Sequence, residues 1–197
     1  MGKKLQGIKK KVTECTKCEL SATRNNAVPG KGNYKSDVIF VGEAPGKNED
    51  MKGEPFIGVA GNKLSAALES AGITRDEVYI TNIVKCRPPK NRVPTTIERN
   101  TCQNYLKKEI EIIKPKIICI LGNTAFNSLL DGKEIIKFRG KIVRKNNQLY
   151  FLTIHRAATI YNQKLISVLK KDIKKLFKLI KKIKKGEKIK INIEYTS

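Results

Sequence analysis

The sequence predicts an α/β protein, namely a three-layer α/β/α sandwich around a central, mainly parallel four-stranded sheet. Four short runs are apolar at almost every position, as strands covered on both faces are: residues 37–41, 78–83, 117–121 and 149–154. Segments with helical spacing separate these runs, and such alternation is typical of parallel sheets with right-handed crossovers. At 197 residues the chain has the length of one domain, residues 1–197.

Start and stop signals bound the helices between these strands. A hairpin is also predicted before the fourth strand, where residues 141–145 are followed by the polar turn "KNNQ". The predicted helices are 62–71, closed by Gly72; 95–113, with Thr95 or Thr96 as N-cap and Pro115 as terminator; and 123–130, with Asn123 as cap.

The last part of the chain predicts one long basic helix, at about residues 163–185, and a loose or strand-like tail at 186–197. Its apolar residues recur at intervals of three and four, which indicates one buried stripe, and lysines cover the other face. A helix lying on a membrane surface is the alternative. We favour a helix packed on the sheet, with apolar positions Leu165, Ile166, Leu169, Ile173, Leu176, Phe177 and Ile180.

The charge balance favours a polyanionic partner. Lys and Arg number 41 against 18 Asp and Glu, a net charge of +23, and neutralising phosphates releases condensed counterions. A solvated basic face is the plainer interpretation, and RNA, DNA and anionic membrane stay open at this point. With no apolar run of about 18 residues and no apolar signal segment, we expect a cytoplasmic protein, without membrane insertion and monomeric.

Three polar residues follow the predicted strands at the edge where ligands of parallel sheets bind. Glu43 follows the first strand, Asn82 ends the second, and His155, the single histidine, follows the fourth. Alone, each has an ordinary structural role; together at one edge, they predict a site. The glycine turn after the first strand lacks the Lys-Ser/Thr pair of a P-loop and the G-x-G-x-x-G pattern, which disfavours nucleotide cofactors.

Four of the five cysteines predict a metal centre. A chain without secretory features favours thiol ligands over disulfides. One close pair and two scattered cysteines suit a [4Fe–4S] cluster somewhat better than a zinc ribbon, although four thiolates suit either. The fifth, Cys119, lies inside an apolar run and predicts a buried small side chain. The four candidates are Cys15, Cys18, Cys86 and Cys102.

Three motifs, in order and preceded by C-x-x-C, carry a family resemblance. They are "GEAPGKNEDMKGEPFIGVAG", "TNIVKCRPPKNRVP" and "TIHRAAT". Together they resemble the family 4 uracil-DNA glycosylases, the iron–sulfur-containing branch of that superfamily, over nearly the whole chain. The resemblance implies an α/β/α sandwich, excision of uracil from single- or double-stranded DNA, and a structural [4Fe–4S] cluster on the four cysteines named above.

The resemblance also implies roles around the base. A flipped base needs a stacking partner and contacts to its Watson–Crick edge. Phe56 is then the stacking platform, and the Asn82 amide accepts from uracil N3–H and donates to O4. The backbone near Ala44 and the His155 side chain lie near O2, where charge develops as the bond breaks.

Glu43 is implied as the carboxylate near C1′, where it stabilises an oxocarbenium-like sugar and holds the attacking water. Glu49 and Asn91 match further polar positions of the motifs and are expected to support the pocket, with Glu49 on the side of thymine's methyl group. A protein of this fold that binds uracil without cleavage is the alternative, and a zinc-stabilised RNA-binding domain is a third.

The third motif departs from the family pattern. Arg156 stands where the family has proline, and we expect it to contact a phosphate. Ile160 and Tyr161 occupy the segment expected to enter the emptied base stack, in place of a more aliphatic sequence.

Overall fold

A computed structural model describes residues 2–154 and 164–195. Within these ranges the chain forms one sheet of seven strands in the order β1-β3-β2-β4-β6-β5-β7. The strands are β1 (Lys31–Gly32), β2 (Val38–Gly42), β3 (Tyr79–Asn82), β4 (Ile117–Leu121), β5 (Ile142–Lys145), β6 (Gln148–Thr153) and β7 (Ile193–Tyr195).

The four predicted strands form the centre of this sheet. β3, β2, β4 and β6 pair in parallel, which confirms the mainly parallel core. The predicted number of four strands was too low, because three further strands extend the sheet. β1 pairs antiparallel with β3, β5 pairs antiparallel with β6, and β7 pairs parallel with β5. β1 and β7 are two and three residues long, too short for a periodic pattern. The predicted hairpin is β5–β6, with Asn146 and Asn147 both at positive φ.

Helices connect the central strands as predicted, and one cap differs. Thr95 caps α5 by accepting from Glu98 N at 3.2 Å. Asn123 does not cap α6: Gly122 holds that position, and Asn123 Oδ1 accepts from Ile135 N at 2.7 Å. The helices are α1 (Gly2–Thr13), α2 (Leu20–Thr23), α3 (Lys47–Lys52), α4 (Val59–Glu69), α5 (Thr96–Ile113), α6 (Asn123–Leu130), α7 (Ile135–Phe138) and α8 (Lys164–Lys184).

Two apolar clusters, one on each face of the sheet, make the sandwich three-layered, as predicted. Successive residues of β2 alternate between them: Ile39 and Val41 belong to one cluster, Val38 and Phe40 to the other. The first cluster includes Val12 of α1, Leu106 of α5 and Phe126 of α6, and the second includes Leu64 and Leu68 of α4 and Leu169 and Ile173 of α8.

α8 packs its apolar stripe onto the sheet. Leu169, Ile173, Leu176 and Ile180 are buried, whereas Lys171 and other lysines of the helix are exposed. This burial accounts for the hydrophobic stripe without a membrane surface. Among the described residues, no helix has the length and apolarity needed to cross a bilayer.

Candidate active site

The parallel strands bring the predicted residues of the first two strands to one edge of the sheet. Gly42, at the end of β2, lies opposite Asn82, at the end of β3. Glu43 follows Gly42 directly, so the carboxylate and the amide project from neighbouring strands. β4 and β6 end at the same edge, with Leu121 opposite Thr153. His155, Arg156, Ile160 and Tyr161 lie outside the described residues.

Phe56 and Asn82 meet above Gly42. A Cβ atom added to Gly42 would lie 2.6 Å from the Phe56 ring and 2.6 Å from Asn82 Oδ1. Both contacts are much shorter than van der Waals distance, so the ring and the amide occupy the space that glycine leaves. Both side chains are fully buried. The structure therefore places the Phe56 ring and the Asn82 amide side by side at the end of β2; their use as a base pocket stays a prediction.

The Asn82 amide is buried, and both of its polar atoms can still form hydrogen bonds. Neither Oδ1 nor Nδ2 has a hydrogen-bond partner among the described residues, and the exposure of the residue is 0%. Buried amide atoms are nearly always paired, since desolvation without compensation is unfavourable. A side chain with both a donor and an acceptor unpaired next to an aromatic ring is suited to a planar ligand edge that supplies one of each.

The backbone around Phe56 is held from two sides. Phe56 has φ of 58°, in the left-handed region. A Cβ on Gly61, in the first turn of α4, would lie 1.9 Å from the Phe56 carbonyl oxygen, so only glycine allows this approach. Arg75 donates to the carbonyl of Pro55 and to Ser65 Oγ, and burial lowers the pKa of its guanidinium. The turn that carries the ring is therefore rigid.

Glu49 braces the two glycine turns of the site. Its carboxylate is buried and accepts from Gly46 N at 3.1 Å and Gly58 N at 3.0 Å. Each oxygen thus has a backbone donor, and the side chain links the start of α3 to the turn before α4. This supporting arrangement agrees with the support expected of Glu49; a role against thymine's methyl group stays a prediction.

Ala44 and Asn91, the other two predicted site residues within the described ranges, differ in burial. Ala44 is half-buried beside Glu43 and packs against the cluster that includes α5 and α6. Asn91 is exposed, in the turn at Pro89–Asn91, and its Oδ1 accepts from Arg87 Nε at 2.8 Å. Asn91 thus stands on the surface, while Glu43, Phe56 and Asn82 gather at the end of the sheet.

Glu43 is hydrogen-bonded to a residue that the sequence did not indicate. Thr124 Oγ1 donates to Glu43 Oε2, and Thr124 is 8% exposed in the first turn of α6. Because α6 starts directly after β4, its N-terminus lies at the same edge of the sheet as Glu43. A hydroxyl in the turn after a predicted strand is a weak signal, and only the sheet order shows that it meets Glu43.

A buried ion pair next to Asn82 is a second feature that the sequence does not indicate. Lys85 Nζ lies 2.7 Å from Glu109 Oε2, both side chains being 1% exposed. The same ammonium donates to the Asn82 carbonyl at 3.0 Å and to Thr81 Oγ1. Lysine and glutamate are usually exposed, so the sequence predicts surface positions for both residues. Only the three-dimensional structure shows that they are buried and paired.

The four predicted ligand cysteines line one small pocket between α1, the loop after β3 and α5. Arg24 Nη1 donates to Cys86 Sγ at 3.0 Å, and Lys85 N donates to Cys102 Sγ at 3.3 Å. Such donors favour thiolates. Burial raises the pKa of the Cys102 thiol to about 12 and that of Cys86 above its ordinary value. Cys119 is buried inside the sheet, as predicted.

Comparison with known proteins identifies the family. The sequence profile of the Uracil DNA glycosylase superfamily matches residues 29–181. The chain belongs to this superfamily. It is 44% identical over 185 residues to a type-4 uracil-DNA glycosylase of Sulfurisphaera tokodaii (89% of this chain, 84% of the relative) and 42% identical over 184 residues to one of Archaeoglobus fulgidus (89% and 92%). The predicted resemblance to the type-4 branch of the superfamily is thus confirmed.

A third relative extends the comparison. The type-4 uracil-DNA glycosylase of Thermotoga maritima is 41% identical over 180 residues, which are 89% of this chain and 94% of the relative. Similarity of this extent covers most of both chains. The superfamily match and the observed sandwich agree with each other.

Proposed function

We propose that this protein is a uracil-DNA glycosylase of DNA repair, which flips uracil out of DNA and hydrolyses its N-glycosidic bond to leave an abasic site. The observation that carries the proposal is the buried Asn82 amide beside the Phe56 ring, which has no hydrogen-bond partner in the described part of the chain. The superfamily match and the type-4 relatives support it.

The pocket chemistry suits uracil. Asn82 Oδ1 accepts from N3–H and Nδ2 donates to O4, so the two unpaired amide atoms both gain partners. Cytosine has an unprotonated N3 and an amino group at C4, and it opposes both contacts. Phe56 stacks on the flipped ring, which replaces part of the stacking lost in the duplex.

The reacting bond is assigned to groups on either side of the base. Glu43 holds the attacking water and stabilises positive charge on the sugar as the bond breaks. Negative charge builds on the uracil ring at the same time, and fixed donors there lower the barrier. We assign those donors to the backbone near Ala44 and to His155. Asn91 is assigned a supporting role, in which its Oδ1 accepts from Arg87 Nε in the loop after β3.

DNA is held by charge and by the segment after β6. The net charge of +23 attracts the phosphate backbone. Arg156 contacts a phosphate, and Ile160 and Tyr161 enter the space vacated by the flipped base. We further propose that residues 1–197 act as one domain, as a monomer, in the cytoplasm.

A [4Fe–4S] cluster on Cys15, Cys18, Cys86 and Cys102 is part of the proposal. Their convergence on one pocket supports it, as do the donors from Arg24 and Lys85 to two of the sulfurs. Among the described residues, no group of three or more His, Cys, Asp or Glu side chains lies close enough together to hold one metal ion. The preference for a cluster over zinc rests on the sequence, in which one close cysteine pair is combined with two scattered cysteines. When bound, the cluster would tie the N-terminal region, through Cys15 and Cys18, to the loop after β3 and to α5, through Cys86 and Cys102.

Release of free uracil from a uracil-containing oligonucleotide tests the function. We expect release from this substrate and none from the matched thymine oligonucleotide. Binding to the uracil strand without release would instead identify a non-cleaving uracil-binding protein. Preference for structured RNA without release would identify an RNA-binding domain.

The metal assignment has its own test. Protein purified without oxygen is expected to be brown, with about four irons per chain, and Cys86→Ala should lose the colour. Cys119→Ala is the matched control, because this cysteine is buried away from the pocket, and it should keep the iron. Colourless wild-type protein with one bound zinc contradicts the assignment.

A further inference from the structure

We propose that Thr124 is a positioning residue, which orients the Glu43 carboxylate toward the reacting sugar. The inference rests on the function proposed above. Its basis is the hydrogen bond from Thr124 Oγ1 to Glu43 Oε2, which joins the end of β2 to the first turn of α6. Neither the predicted motifs nor the charge pattern pointed to this residue.

Hydrogen bonds hold the backbone of Glu43 in place, but they do not set the orientation of its carboxylate. Val84 N donates to the Glu43 carbonyl at 3.2 Å, and Ile83 N donates to the Gly42 carbonyl at 2.9 Å. A glutamate still has three rotatable side-chain bonds, and this one is only half-buried. The Thr124 hydroxyl holds Oε2 and leaves Oε1 for another donor, such as an attacking water.

Thr124 is suited to this task because it is itself held in place. Its β-branched side chain has few rotamers in a helix, and it is 8% exposed. Ser128 Oγ donates to its carbonyl at 2.8 Å. Arg99 Nη1, on α5, donates to Asn127 Oδ1 at 2.9 Å and so fastens α6 to the neighbouring helix.

The position of the helix adds an electrostatic contribution. The first turn of α6 carries the positive end of the helix dipole, which favours a carboxylate nearby. Thr124 lies in this turn, and its hydroxyl brings one oxygen of Glu43 close to it. A carboxylate so placed keeps one orientation before substrate binds, and such preorganisation lowers the barrier rather than tightening ground-state binding.

A purely structural role predicts a different behaviour. In that case the hydrogen bond contributes only to stability, so removal of the Thr124 hydroxyl lowers the free energy of unfolding and leaves the single-turnover rate unchanged. A positioning role lowers the rate when the hydroxyl is removed, and it does so only while Glu43 is present. A double-mutant cycle between the two residues separates these cases.

The test uses single-turnover uracil release and binding to an uncleavable uracil-containing analogue. Thr124→Val removes the hydroxyl and keeps the shape, and we expect its rate to fall by roughly 10- to 100-fold, the loss of one hydrogen bond to a charged group. Analogue affinity should be unchanged. Thr124→Ser keeps a hydroxyl and should recover most of the rate. In a Glu43→Ala background, Thr124→Val should have little further effect.

Thr74→Val is the matched control. It removes another threonine-to-glutamate hydrogen bond, from Thr74 Oγ1 to Glu77 Oε2 at 2.9 Å, on the exposed surface, and it should keep the wild-type rate. If Thr124→Val does not fold, Thr124→Ala replaces it. A wild-type rate in the hydroxyl-free variant overturns the proposal, and so does an equal loss with and without Glu43. A wild-type protein that releases no uracil contradicts the proposed function instead.

Discussion

At the residue scale, the proposed base pocket depends on the packing of Phe56 and Asn82 against Gly42. Gly42 has no side chain, and the Phe56 ring and the Asn82 amide fill that space. The amide then lies fully buried with both polar atoms unpaired among the described residues. Leaving such a group unpaired is unfavourable by about 1–3 kcal/mol. A base that pairs with both atoms recovers that free energy, and a base that opposes them does not.

Asn82→Asp should change the preferred base. A carboxylate has no donor for uracil O4, and it accepts from the amino group of cytosine. We expect uracil release to fall by roughly 10- to 100-fold, which corresponds to one or two lost contacts, and cytosine release to become detectable. Both are measured on oligonucleotides that differ only at the target base.

Asn104→Asp is the control for the added negative charge, since Asn104 is exposed on α5. It should keep the wild-type preference for uracil. Wild-type uracil activity in Asn82→Asp would show that another group reads the base edge.

At the scale of elements, the Lys85–Glu109 pair joins the loop after β3 to α5. Both side chains are almost fully buried. Glu109 also accepts from Thr81 Oγ1 at 2.9 Å and from Tyr79 O–H at 3.2 Å. Burial and the negative charge of Glu109 raise the pKa of the Tyr79 hydroxyl. Because Lys85 Nζ donates to the Asn82 carbonyl, the pair supports the strand end that carries the Asn82 amide.

Breaking this pair should destabilise the fold strongly. Lys85→Met leaves Glu109 buried without its cation, and we expect a loss of about 3–5 kcal/mol in the free energy of unfolding. Adding Glu109→Gln removes the uncompensated charge and keeps an acceptor, so the double variant should regain part of that loss. Urea denaturation of wild type, the two single variants and the double variant measures these losses. Additive losses from the two substitutions would show that the charges are not coupled.

A second buried carboxylate joins α8 to β6 and makes stability depend on pH. Asp172 Oδ2 accepts from Thr153 Oγ1 at 2.7 Å, with Arg139 Nε at 3.6 Å. Burial, near Cys119, raises the pKa of Asp172 above its ordinary value of 3.8, and the bond from Thr153 and the charges of Arg139 and Lys175 oppose this only in part. The folded protein therefore binds the proton more tightly than the unfolded chain.

The sign of the effect follows from this. With the folded pKa raised, the contribution of Asp172 to stability is greatest below the ordinary pKa and falls as the pH rises through the folded value. Asp172→Asn should thus gain stability relative to wild type at pH about 7, and the difference should shrink near pH 4. Exposed Asp76→Asn is the control and should show no such trend. Unfolding curves at both pH values measure the difference in stability, and a gain that does not depend on pH would contradict the prediction.

At the scale of the whole molecule, sequence periodicity was enough for the central sheet but not for its edges. The runs that became β2, β3, β4 and β6 are apolar because helices cover both faces of the sheet. β1 and β7 add only two and three residues to its edges, and their pairing depends on tertiary contacts. α1, at Gly2–Thr13, was not predicted, because its apolar positions are few.

The site divides in the same way. The rim with Glu43 and Asn82 could be predicted, because the carboxyl ends of parallel strands share one edge of a sheet. The four cysteines could be predicted as a group from their residue type and spacing, and Cys119 could be set apart because it lies inside an apolar run. Thr124, Lys85 and Glu109 could not, since each acts through a partner at least 24 positions away in the chain.

The account depends most directly on Glu43 as the catalytic carboxylate. Glu43→Ala leaves Phe56 and Asn82 to hold the flipped base, and it removes water positioning and stabilisation of the sugar cation. The decisive measurement is single-turnover uracil release by this variant, beside its affinity for an uncleavable uracil-containing analogue. We predict a rate lower by about 10²- to 10³-fold with affinity nearly unchanged. Cleavage at the wild-type rate, or an equal loss of rate and affinity, would contradict the account.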